Sequence, residues 1–241
     1  MTPAGHSQAP EAVRPSAAAV TVVFATDDHV SISGALRVGR ANTTPVVLVH
    51  QLGSTHAEWD PLVAELATAG LTTLAIDLRG HGESTSGAGA NTRAYAYASF
   101  RDADWTATQK DVRAAIDFLA TREDVHASSV VLIGSSIGGT ACLAAAADEP
   151  RAAGLVVLSP GRAYHGFDAI LPASRLGQRP LLVLHSTEEL PSGETSDVLD
   201  RIVTDSTVRV VPGSAHGVLM FQDDPSQMAA IVDFVRAAQP R

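Results

Sequence analysis

The sequence predicts an α/β fold: a doubly wound, mostly parallel sheet of about eight strands, with an N-terminal hairpin and helices on both faces. Three observations carry this. From Pro45 onward, short apolar runs alternate with segments of helical periodicity. The runs 46–49, 155–158 and 181–184 are continuously apolar, as strands covered on both faces require. The chain of 241 residues is long enough to bury one large core.

In order, residues 1–18 are rich in Ala, Pro, Ser and Gly and read as a flexible tail, with 19–241 as a single domain. Segments 20–24 and 30–36 flank Asp27-Asp28-His29 and read as a hairpin. Strand 46–49 leads through His50-Gln51-Leu52-Gly53-Ser54-Thr55 into a helix over 56–69, with Trp59, Leu62, Val63 and Leu66 at helical spacing and Gly70 as its stop. Strand 71–76 runs into Asp77-Leu78-Arg79-Gly80-His81-Gly82-Glu83-Ser84. Segment 85–105 reads as irregular but gathers Tyr95, Tyr97, Phe100 and Trp105. A helix over 106–122 follows, then strand 129–133 and a helix over 140–147 that stops at Glu149-Pro150. Strands 155–158, 181–184 and 208–211 and a closing amphipathic helix with Met228, Ile231, Val232 and Val235 complete the chain.

Between strand 129–133 and its helix lies Gly134-Ser135-Ser136-Ile137-Gly138-Gly139. Strand, Gly-x-Ser-x-Gly turn and helix form a nucleophile-elbow pattern. The turn is so sharp that the residues two positions either side of the nucleophile must be small, and the helix N-terminus aims free amides at it. Ser136 is the candidate nucleophile; the bland alternative is a glycine-rich connection with an idle serine.

A serine hydroxyl needs a base, and the base an orienting carboxylate. In an open parallel sheet these belong on loops after the C-terminal ends of strands. His216, in the small-residue loop after 208–211, is the candidate base, ahead of His185, which precedes the expected acid, and His81, which sits in a Gly-flanked turn. The loop after 155–158 carries no carboxylate. The acid is therefore Glu189 or Glu188, after strand 181–184, with Glu189 placed where the loop turns back to the sheet and Asp197 a distant third. The amides of Ile137 and Leu52 are the candidate oxyanion donors, with His50 bracing the loop. Gln51, Tyr95, Tyr97, Met220 and Phe221 are candidate pocket-lining residues; the aromatic stretch reads equally well as a cluster pinning a long loop.

Composition narrows the function classes. The net charge of −9 speaks against nucleic acid or an anionic membrane surface as main partner. Cys142 is the only cysteine, so no intrachain disulfide forms, and it reads as a small buried residue. No apolar run spans a bilayer and no signal peptide is visible, which leaves a soluble protein, cytoplasmic or secreted after signal removal. No metal cluster, phosphate loop or nucleotide fingerprint implies a metal or cofactor. Oligomeric state is open, and a monomer is compatible with the sequence.

Taken together, segments 47–53 and 77–84, the elbow, the strand-then-acid segment and the loop 213–217 resemble the α/β-hydrolase superfamily in content and order, over residues 20–238. The nearest flavour resembles compact esterases and dienelactone-hydrolase-like proteins. Two departures stand out: Gln51 where glycine is common, and Glu where Asp is usual for the acid. The resemblance implies a serine esterase acting on a small-molecule ester through an acyl-enzyme. The same triad acting on an amide, thioester, lactone or polyester is the alternative, and a non-catalytic ligand-binding member of the fold a more remote one. Dehalogenases and epoxide hydrolases resemble the chain around Asp77 but use Asp at the elbow, so Asp77 and Arg79 read as turn-stabilising. Only residues 159–179 separate two neighbouring strands where larger members insert a cap. The expectation is no large cap, a shallow site and short-acyl substrates.

Overall fold

The structure, a computed structural model, describes residues 18–125 and 127–239. The expected tail, up to residue 17, lies outside the described residues. Strands β1 (Val20–Ala25) and β2 (Ser31–Arg37) form the antiparallel hairpin. Then come β3 (Val46–Val49), α1 (Asp60–Thr68), β4 (Thr73–Ile76), α2 (Asp102–Thr106), α3 (Thr108–Ala120), β5 (Val130–Ser135), α4 (Ile137–Ala146) and β6 (Ala152–Leu158). A small hairpin, β7 (Ala163–Tyr164) and β8 (Phe167–Asp168), precedes α5 (Ile170–Ala173) and β9 (Leu181–Ser186). The chain closes with α6 (Leu190–Ile202), β10 (Ser206–Val211), α7 (Met220–Asp223) and α8 (Ser226–Ala237).

Eight strands make one sheet in the order β1-β2-β4-β3-β5-β6-β9-β10. β2 pairs antiparallel with β4, and from β4 to β10 all pairs are parallel. Every residue of β3, β4, β5 and β9 is buried, which is why these strands read as unbroken apolar runs. One face packs on α3 and α4 through Val112, Ile116, Leu119, Ala141 and Leu143. The other packs on α1, with Trp59 directly before it, and on α8, through Leu62, Leu66, Ile231 and Val235. The expected helix over 106–122 is split at Ala107 into α2 and α3. Segment 159–179 holds only the hairpin and α5, so no large cap covers the sheet edge. Among the described residues, no helix is long and apolar enough to cross a membrane.

The turn after β4 is held by charge. Arg79 is buried and sends Nε to Asp111 Oδ1 at 2.8 Å and its terminal nitrogens to both oxygens of Asp28 at 2.8 and 3.0 Å. Its own N–H donates to Asp111 Oδ2 at 2.9 Å. Asp77 accepts from the His56 and Glu83 amides at 2.7 and 3.0 Å, tying the same turn to the segment before α1. Both residues therefore serve the turn. Arg79→Ala is expected to destabilise the protein by about 3–5 kcal/mol, because Asp111 keeps its buried charge and loses its cation. Urea unfolding measures this; a change under about 1 kcal/mol, the scale of an exposed pair, contradicts it.

Candidate active site

The C-terminal ends of β3, β5, β6, β9 and β10 share one edge of the sheet. At the centre, β5 turns into α4 at Ser136, whose φ of 52° and ψ of −119° are unusual for a residue with a Cβ. Its N–H donates to Leu158 O at 2.8 Å. The flanking glycines are a steric demand. A Cβ on Gly134 would stand 2.5 Å from the Gly138 carbonyl, one on Gly138 2.3 Å from Val49 O, and one on Gly139 2.5 Å from the Val157 side chain. The elbow thus packs backbone against backbone on the end of β3. Ile137 opens α4, so its N–H has no intrahelical acceptor and points out of the helix terminus.

Glu189 follows β9 at the entry to α6. Its Oε1 lies 2.5 Å from His216 Nδ1, and its Oε2 accepts the Ser159 hydroxyl at 2.7 Å and the Ser186 N–H at 3.3 Å. Burial raises the Glu189 pKa, but these hydrogen bonds outweigh it and hold the carboxyl below its usual range. With Nδ1 facing a carboxylate, the imidazole donates there and leaves Nε2 without a proton. Glu188 is exposed, and its backbone N–H donates to Gly213 O. Asp197 faces solvent on α6. His185 is buried under α6, and His81 is buried with Nδ1 against Arg79 O.

Among the described residues, no hydrogen bond joins the Ser136 hydroxyl to His216. Their chain neighbours meet instead. A Cβ on Gly217 would lie 2.2 Å from Ser135 Oγ, and the Gly217 N–H donates at 2.8 Å to the Ser159 hydroxyl that also serves Glu189. Ser159 therefore links Glu189 to the loop of His216. It carries no sequence signature beyond its place directly after β6.

His50 holds the loop after β3. Its Nε2 accepts the Leu78 N–H at 3.0 Å, so Nδ1 carries the proton and donates to Gln51 O at 2.7 Å. Burial pushes its pKa down to about 4, which keeps the ring neutral in that tautomer. In a trans peptide the Leu52 N–H points opposite to the Gln51 carbonyl, away from His50. It finds no acceptor among the described residues. Glu58, not singled out by the sequence, accepts the Gln51 N–H at 3.0 Å; its burial raises its pKa against the hydrogen bonds it receives and the nearby His216.

The candidate lining residues divide. Tyr97 is partly exposed, stacks on His81 at 4.2 Å and sets its hydroxyl beside Gly53. Gln51 is half-buried next to Ser135. Tyr95 is buried, with Arg93 over its ring and Asn91 on its hydroxyl. Met220 and Phe221 pack into the core under α8. All three are buried, with Tyr95 and Phe221 each less than a tenth exposed and Met220 fully enclosed. A cleft of about 900 Å³ lined by Asn42, Arg122 and Ser128 lies at the opposite end of the sheet from Ser136. Cys142 is fully buried on α4, and burial pushes its thiol pKa up.

The model of the alpha/beta hydrolase fold family matches residues 44–178. Among solved structures, an esterase from Pyrococcus furiosus is 17% identical with a TM-score of 0.71, covering 92% of this chain and 92% of its own. A dienelactone hydrolase from Anabaena variabilis ATCC 29413 is 20% identical with a TM-score of 0.71, covering 93% and 96%. A thermophilic esterase from Thermogutta terrifontis is 19% identical with a TM-score of 0.70, covering 92% and 100%. Identities this low speak to the fold alone. A comparison with curated proteins finds no match. Since the family model spans more than half of the sequence, the chain belongs to the alpha/beta hydrolase fold family.

Proposed function

We propose that this protein is a serine hydrolase of carboxylic esters, working through Ser136, His216 and Glu189. The observation that carries the reading is the 2.5 Å pair of Glu189 and His216 on the sheet edge where Ser136 sits in a strained elbow. Ser136 Oγ attacks the ester carbonyl as His216 Nε2 takes its proton. Glu189 stabilises the resulting imidazolium. The Ile137 and Leu52 N–H groups receive the oxyanion. Collapse breaks the acyl–oxygen bond, and His216 returns the proton to the leaving alkoxide. Water, deprotonated by His216, then releases the acid from the acyl-enzyme and restores the serine. The esterases and the dienelactone hydrolase among the structural neighbours are in keeping with acyl-oxygen chemistry.

The substrates we assign are small, short-acyl esters. Without a large cap the site is shallow, with Tyr97 and Gln51 beside it and Leu52 partly exposed. The test is hydrolysis of p-nitrophenyl acetate, butyrate and octanoate. The expected result is higher kcat/KM on acetate and butyrate than on octanoate. A preference for octanoate overturns the shallow-site part of the reading. Folded protein that hydrolyses none of the three overturns ester hydrolysis and turns attention to amides, thioesters and lactones.

A further inference from the structure

Gln51 is held at each of its backbone hydrogen-bonding groups and at its side-chain oxygen. Its N–H donates to Glu58 Oε1 at 3.0 Å. Its carbonyl accepts from His50 Nδ1 at 2.7 Å and from the Ser54 N–H at 3.2 Å. Its side-chain Oε1 accepts the Ser135 hydroxyl at 3.3 Å. The two bonds to its carbonyl set the plane of the peptide whose other half is the Leu52 N–H, and the bond from its N–H fixes the peptide before it. The fourth is long-range in the chain: it fastens this loop to the last residue of β5, directly before Ser136. Gly217 fills the remaining space, since a Cβ there would lie 2.4 Å from Gln51 Oε1 and 2.2 Å from Ser135 Oγ. One side chain therefore touches the loop of Leu52, the elbow and the residue after His216. A glycine at position 51 has no atoms with which to make that bridge.

We propose that Gln51 is a positioning residue, whose side-chain oxygen locks the Leu52 amide to the nucleophile elbow through Ser135. The inference rests on the serine-hydrolase reading above. An oxyanion donor contributes only when it is already fixed where charge develops, and small misplacements of reacting groups cost large factors in rate. Losing the bridge lets the loop drift relative to Ser136 without unmaking the hydrogen bonds of its backbone. The loss therefore falls on the transition state, not on ground-state binding.

The experiment compares wild type, Gln51→Met, Ser135→Ala and the double variant on p-nitrophenyl butyrate, with Ser136→Ala as the blank and thermal unfolding run alongside. Methionine keeps the length of the side chain and removes its carbonyl. Each single variant is expected to lose about tenfold or more in kcat with KM within about threefold, at unchanged Tm. The double variant is expected to be no slower than the worse single one, because both remove one bridge. Wild-type kcat in Gln51→Met, a loss confined to KM, or losses that multiply in the double variant each overturn the proposal. Wild type without hydrolysis above the Ser136→Ala blank overturns the parent reading, and this inference with it. That outcome is read from wild type alone, so the two failures are distinct.

Discussion

Ser136→Ala is expected to lower kcat/KM for p-nitrophenyl butyrate by about 10⁴-fold or more, with an unchanged Tm. On the proposed mechanism, the rate follows from what the variant lacks. Alanine leaves the Ile137 and Leu52 amides in place, so an ester can still be bound and polarised, but no covalent intermediate forms and His216 has no hydroxyl to deprotonate. What survives is the catalysis that binding and oxyanion donors provide by themselves. Stability should be preserved because the elbow's backbone does not depend on the hydroxyl. Ser136 holds its φ of 52° through the Leu158 carbonyl on its N–H and the close packing of Gly138 on β3. Alanine bears the same Cβ in the same strained well and inherits the same supports. A variant retaining more than a tenth of wild-type activity, at equal stability, removes Ser136 from the mechanism.

The elbow was legible in the sequence because it is a steric problem with few solutions. Three glycines fall within six residues between a strand and a helix, and a Cβ on any of them would lie within 2.5 Å of another group. The strands were legible because burial on both faces removes alternation from their sequences. Elements whose existence depends on remote packing were not. Helix α6 contains Pro191, Gly193 and several Ser and Thr, poor helix formers whose low propensity is outweighed by packing Leu199, Thr195 and Ser196 under the sheet edge. The β7–β8 hairpin turns through His165-Gly166, both at positive φ. Histidine there, in place of Asn or Asp, hides the usual turn signal.

Site residues divide in the same way. Groups ordered by the chain after successive strands could be found by position, and Glu189 and His216 do meet. Ser159, Ser135 and Glu58 act through contacts 30 to 84 residues away in sequence or through a loop's backbone. No periodicity or motif reports these. The aromatic candidates show a further limit. Position in the chain singles out Tyr95, Met220 and Phe221, but depth is set by which side of a turn a residue falls on, and these three are buried.

The second large effect is expected from Glu189→Gln, with kcat reduced by about 10³–10⁴-fold while Glu188→Gln stays near wild type. The pocket of Glu189 dictates how a glutamine must sit. On the Oε2 side, the Ser186 N–H is a fixed donor and the Ser159 hydroxyl donates as well. A glutamine therefore turns its carbonyl oxygen toward them and its NH₂ toward His216 Nδ1. An NH₂ there makes Nδ1 an acceptor and moves the imidazole proton to Nε2, the nitrogen that takes the proton of Ser136 in the proposed mechanism. The base is present in the wrong tautomer, and the carboxylate that would stabilise its cation is gone. Glu188 is exposed and reaches the histidine loop through its backbone, which the amide substitution leaves intact. Stability against pH gives a second, independent readout. Because the folded Glu189 carboxyl lies below its ordinary value of about 4.3, its contribution is full above that value. It is lost as pH falls through the folded-state pKa. The stability gap between wild type and Glu189→Gln should therefore narrow on acidification, since glutamine does not titrate. Loss of activity in Glu188→Gln with retention in Glu189→Gln would reassign the acid. A gap that does not change with pH would mean that the Glu189 carboxylate gains nothing from its hydrogen-bond partners on folding.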